Sequence, residues 1–144
     1  MLSRTIRKIS TQFASAAVIS LSAFFTLQPS SFAEDQDMSV VAHASAGPLE
    51  CEIRKTGNDG SVQLTGVVSS TAEVAGDFRF LLTKSGPSGT SNVNQGNSFN
   101  LAAGAQTHVG HVTINLRHDD HAVVELSATS NDGVVCRATA ALEL

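Results

Sequence analysis

A chain of 144 residues with 9 Lys+Arg, 13 Asp+Glu and a formal net charge of −4 is too short for two ordinary cores and too acidic to favour nucleic acid or an anionic membrane surface. Apolar residues make up 42% and charged residues 15%, a balance that argues against wholesale disorder. The chain has 2 cysteines and neither Trp nor Tyr.

The N-terminus reads as a targeting segment. Arg4, Arg7 and Lys8 precede an uncharged, largely apolar run from Phe13 to Leu27, and Ser31-Phe32-Ala33 offers small residues at the −3 and −1 positions of a cleavage site. The run is roughly 15 residues, short of the ~20 needed to span a bilayer. A signal peptide over 1–33 is therefore expected, with export and no membrane association after cleavage. Three of the nine basic residues leave with it, so 6 Lys+Arg face all 13 Asp+Glu, a net charge of −7. Export also joins the only two cysteines: an oxidising compartment predicts a Cys51–Cys136 disulfide tying together the first and last strands of the domain. No C-x-x-C is present to suggest redox chemistry.

Residues 34–47 are small and acidic without a period and predict a flexible N-terminal tail, with the domain proper at 48–144. Leu49, Cys51 and Ile53 alternate with Glu50, Glu52 and Arg54 as a half-buried strand. Gly57-Asn58-Asp59-Gly60 supplies a turn, and Val62 and Leu64 resume the inward set, with Gly66 permitting a bulge or close sheet packing. Phe78, Phe80 and Leu82 then oppose Asp77, Arg79 and Thr83. The pattern breaks at Ser85-Gly86-Pro87-Ser88-Gly89, and a polar run continues it as a loop over Ser85–Asn97. A short strand at Phe99 and Leu101 follows, then His108–Leu116, a charged turn at Arg117–His121, the alternating run Ala122–Thr129, a turn at Asn131–Gly133, and a last strand carrying Val134, Cys136 and Ala138 inward. About seven strands and no helical stretch predict an all-β domain, an immunoglobulin-like antiparallel β-sandwich, with a small barrel as the alternative.

Chemistry-bearing constellations are sparse. His108, His111, His118 and His121 invite a metal carrier, but adjacent ligand types on a turn with no third anchored ligand fix no coordination geometry, so no metal and no cofactor is assigned. No serine lies in a Gly-x-Ser-x-Gly elbow, and no Gly-Lys-Ser/Thr follows the glycines, so no catalytic residue is nominated and the chain reads as a non-enzyme. Arg79, outward on its strand, and Lys84, at the end of the same strand, form a local positive feature in an acidic protein.

The run from Phe80 to Phe99, FLLTKSGPSGTSNVNQGNSF, resembles the CsgH branch of the CsgC-like curli chaperones, in which a strand ending in lysine leads into a Ser-Gly-x-Ser-Gly-x-Ser-Asn loop and a Gln-Gly turn before an aromatic. The likeness extends to Leu49–Ile53, Leu64–Val68 and Cys136. The Cys-x-Cys of the CsgC branch is missing, so thiol chemistry does not carry over. The resemblance implies a periplasmic chaperone that keeps a curlin-type amyloid subunit from nucleating, through transient, electrostatically guided contact; the outward Arg79 and the strand-end Lys84 supply the candidate client-binding residues, and a monomer is expected. The alternative is a non-catalytic periplasmic or surface adhesion module that binds another protein through Ser85–Asn97.

Overall fold

The computed structural model describes residues 37–57 and 60–144, so the signal peptide expected over 1–33 and Asn58-Asp59 of the first turn lie outside the described residues. Eight strands run in order: β1 Ser39–Ala46, β2 Leu49–Thr56, β3 Val62–Ser70, β4 Val74–Ser85, β5 Ser91–Leu101, β6 Gln106–Ile114, β7 His121–Ser130 and β8 Val135–Glu143. They form two antiparallel four-stranded sheets, one ordered β1-β2-β3-β6 and the other β5-β4-β7-β8. No ladder joins β1 to β8 or β5 to β6 among the described residues, so the architecture is a sandwich of two sheets and not a closed barrel.

The expected alternation positions the core. Leu49, Cys51 and Ile53 of β2, Val62 and Leu64 of β3, Phe80 and Leu82 of β4, and Val124 and Leu126 of β7 are all buried between the sheets. Phe80 is the largest fully buried side chain. Its ring sits over a glycine pair, Gly66 opposite Gly110 across β3 and β6, and a bulge follows at Gly66/Val67. A Cβ on Gly110 would lie 2.6 Å from Phe80 Cγ, and one on Gly66 would lie 3.1 Å from Phe80 Cδ2. Absence of a side chain at these two positions makes room for the aromatic. Cys51 on β2 and Cys136 on β8 are bonded with 6.1 Å between their Cα atoms and a sequence separation of 85. The disulfide thus crosses from one sheet to the other inside the core, and closing a loop of that size stabilises the fold by about 4–5 kcal/mol in the chain-entropy model.

Two expectations are corrected. Ser39–Ala46, read as flexible tail, is an edge strand paired with β2 from Ser39↔Lys55 to Ala46↔Leu49. Gly47, at φ +54, and Pro48 form its hairpin turn instead of opening the domain. Val41, Ala42, Ala44 and Ala46 pack against the core, but three of the four are alanines and none is fully buried, too little apolar contrast to mark a strand. Likewise the polar run is no loop and Gln95-Gly96 is no turn: β5 pairs with β4 over an unbroken register from Val74↔Leu101 to Lys84↔Ser91. As an edge strand largely open to water it needs no apolar alternation until Phe99. The connecting turn shrinks to Gly86–Thr90, closed by Gly89 N–H donating to Gly86 O at 3.0 Å.

Candidate functional site

On the outer face of the second sheet, the strand register aligns Gly96, Arg79, Ser127 and Arg137 in one row across β5, β4, β7 and β8. Phe80 and Leu82 point inward, so Arg79 is necessarily outward, as the alternation predicts; the same logic around Cys136 and Ala138 turns Arg137 out. With only the small Ser127 between them, the two arginines stand about 9–10 Å apart, two strand spacings. They flank a shallow depression of about 320 Å³ that also touches Asp77, Glu125 and Thr129. Arg137 Nε lies 3.6 Å from Glu125 Oε1, a pair that is mostly in water. Arg79 has no carboxylate within ion-pair distance among the described residues. A guanidinium with its fork free is suited to planar acceptors such as a partner's carboxylate or backbone carbonyl.

Lys84 is placed elsewhere. It follows Phe80 and Leu82 on the inward parity of β4 and is 4% exposed. Its Nζ lies 3.3 Å from Oδ2 of the fully buried Asp120 and donates to Ser88 Oγ at 2.5 Å. Ser88 in turn donates its hydroxyl to Asp120 Oδ2 and its N–H to Asp120 Oδ1, while Arg117 N–H reaches Asp120 Oδ2 at 2.9 Å. The Ser88 hydroxyl first, then the Arg117 and Ser88 amides and Lys84, hold the Asp120 carboxyl far below its ordinary value against the opposing effect of burial. The expectation of Lys84 as an exposed contact is therefore corrected: it is one half of a lock fastening the Gly86–Thr90 turn to the β6–β7 connection. The apolar β4 pattern placed it inward by parity, and only a buried counter-charge from a distant turn, invisible in sequence, makes that tolerable.

A lysine, a serine and an aspartate in contact resemble a nucleophile with its base, but the arrangement does not activate Ser88. Lys84 Nζ and the Ser88 hydroxyl are both spent on the buried Asp120 and on each other, and a carboxylate held far below its ordinary value is a poor base toward a hydroxyl.

The histidines are dispersed. His111 on β6 bonds to the Gln63 side chain, His118 pairs with Asp119 in the turn, and His121 pairs with Glu143 at the start of β7. Among the described residues no three His, Cys, Asp or Glu side chains are grouped to hold a metal ion.

Comparison with known proteins fits this architecture. No curated protein matches the chain. Among solved structures, that of the E. coli curli protein CsgC aligns over 65% of this chain and 97% of its own, with a TM-score of 0.57 at 16% identity, and so shares the fold. The solution structure of R. palustris CsgH aligns over 68% of this chain and 88% of its own, with a TM-score of 0.46 at 21% identity. The family model for CsgH protein matches residues 50–139. This segment runs from the start of β2 well into β8 and takes in the arginine row, the lock and both cysteines; on that match, over more than half of its length, the chain belongs to the CsgH family.

Proposed function

We propose that this protein is an exported, non-catalytic chaperone that delays amyloid nucleation of a curlin-type subunit in the periplasm. It makes transient contact with the client through the outer face around Arg79 and Arg137. The observation that carries the reading is Arg79: an outward guanidinium without an acidic partner among the described residues, aligned with a second arginine across β7, in a member of the CsgH family. Exposed charges act over roughly the Debye length, about 10 Å at 0.1 M salt and about 3 Å at 1 M, so such contacts guide encounter without tight capture.

The test is the lag time of fibre formation by a curlin encoded in the same genome. Wild-type protein at substoichiometric ratio lengthens the lag, and added salt shortens it again. Arg79→Glu with Arg137→Glu abolishes most of the delay while melting like wild type, because both positions face water. A folded double variant that delays as well as wild type removes this face from the mechanism. A wild type without effect on that subunit removes the function.

A further inference from the structure

The flank where the two sheets meet at β5 and β6 carries a second surface. Each is an edge strand: β5 pairs only with β4 and β6 only with β3 among the described residues. Between them lies a cleft of about 410 Å³, bordered by Asn97, Ser98 and Asn100 on one side and Thr107 and His108 on the other. Unpaired strand edges offer rows of N–H and C=O groups to any extended chain, and folded proteins normally block them with charge, proline or a bulge. The remaining edges are blocked in this way. β1 has a register break between Val40 and Ala42, and β8 carries Arg137 and Glu143. β5 has none of these devices: its 11 residues, SNVNQGNSFNL, include no charged residue and no proline, and its register is unbroken.

The β6 edge already shows what it recognises. The Gln95 carboxamide reaches across the cleft and pairs with one residue of that edge as a neighbouring strand would, Nε2 donating to His111 O at 2.8 Å and His111 N–H donating to Oε1 at 3.0 Å. Asn92, Asn94 and Asn100 add further carboxamides to β5 itself. A charged segment entering here would lose hydration without meeting a counter-charge, whereas amides and hydroxyls can form ladders with those present.

We infer that this cleft is a docking site for an extended, uncharged partner segment rich in Asn and Gln, added as a strand along the β5 edge. It is separate from the arginine row, and a peptide probe reads it without the client.

The probe is a synthetic peptide of the same length as β5, 11 residues, alternating Gln or Asn with Ser or Gly. It is titrated into the full protein and followed by backbone amide shifts and hydrogen exchange. Shifts and slowed exchange confined to 91–101 and 106–114 are expected. Asn97→Lys with Ser98→Lys, both at exposed positions, should weaken binding at least about tenfold, the loss of one or two hydrogen bonds. The same charge at exposed Thr139→Lys on β8 should leave it unchanged. Gln95→Ala, which removes the partner of the His111 amide, should make slowed exchange at His111 depend on added peptide. The inference is overturned by perturbation centred on β1 or β8 or by equal binding of the Asp/Glu version of the peptide. Absence of binding at millimolar peptide, or pairing of the edge with a second copy of the chain in preference to the peptide, overturns it too.

Discussion

Replacing Lys84 with methionine removes the cation from a site where Asp120 is fully buried and Lys84 is 4% exposed. The apolar stem is nearly conserved, so packing changes little; what is lost is the partner of a buried carboxylate. Breaking such a pair from one side costs about 3–5 kcal/mol, a large share of the roughly 5–15 kcal/mol that holds a domain folded. For a domain of this size that corresponds to a fall in melting temperature of roughly 15–30 °C. Arg79→Glu, by contrast, alters an exposed side chain and should stay within about 0.5 kcal/mol of wild type. Adding Asp120→Asn to Lys84→Met discharges the site but keeps an acceptor for only one of the two amides, since Ser88 N–H reaches Oδ1 and Arg117 N–H reaches Oδ2, and should restore part of the loss and not all of it. Thermal and urea melts of the variants decide the matter. A Lys84→Met protein that melts within a few degrees of wild type would refute the buried lock and return Lys84 to the surface. The same arithmetic explains why a charge reversal at Lys84 is unsuited to testing client contact: the variant would lose its delay by unfolding.

The lock also sets a pH dependence. Because the folded Asp120 carboxyl titrates below its ordinary value of 3.8, the unfolded chain takes up the proton first as pH falls. Its contribution is whole above about pH 5 and is lost progressively below about pH 4; urea midpoints should fall over that range in wild type and less in Asp120→Asn. Gly110→Ala should cost about 1–3 kcal/mol by overpacking, since the new Cβ meets Phe80 at 2.6 Å from Cγ and 2.7 Å from Cβ, and Gly66→Ala should cost less. Denaturant midpoints of the two variants give the order, and equal costs would contradict it.

Legibility in the sequence followed apolar contrast. β2, β3, β4, β7 and β8 each bury at least two of Leu, Ile, Val, Phe or Cys on one parity and were readable as strands. β1 half-buries alanines, and β5 is polar on both parities for most of its length, so neither has a period to read, although β1 pairs along β2 with one register shift and β5 pairs along β4 without a break. Edge strands are where this failure is expected, because only one side of the ladder and part of one face constrain the residues. Arg79 was legible because its neighbours Phe78 and Phe80 fix its parity. Arg137 was equally outward by the parity of Cys136, but its alignment with Arg79 depends on β7 lying between β4 and β8, a matter of sheet order that no local pattern encodes. Lys84 shows the opposite error: its parity was available, and its charge argued against using it.

The arginine row and the edge cleft are joined by one strand pair, which makes their contributions separable by salt. Arg79 on β4 is registered directly opposite Gly96 on β5, so no side chain on β5 stands between that guanidinium and the open edge. A client segment drawn in by charge would meet the edge next, where pairing depends on hydrogen bonds and not on net charge. The first interaction falls steeply between about 0.1 M and 1 M salt as the Debye length shortens, while the second is nearly indifferent to it. Lag times measured across that range should then show a salt-sensitive part that vanishes in Arg79→Glu with Arg137→Glu, and a salt-insensitive remainder that vanishes in Asn97→Lys with Ser98→Lys. A delay that disappears completely at high salt in the wild type would assign client recognition to the arginines alone. One that persists unchanged would assign it to the edge.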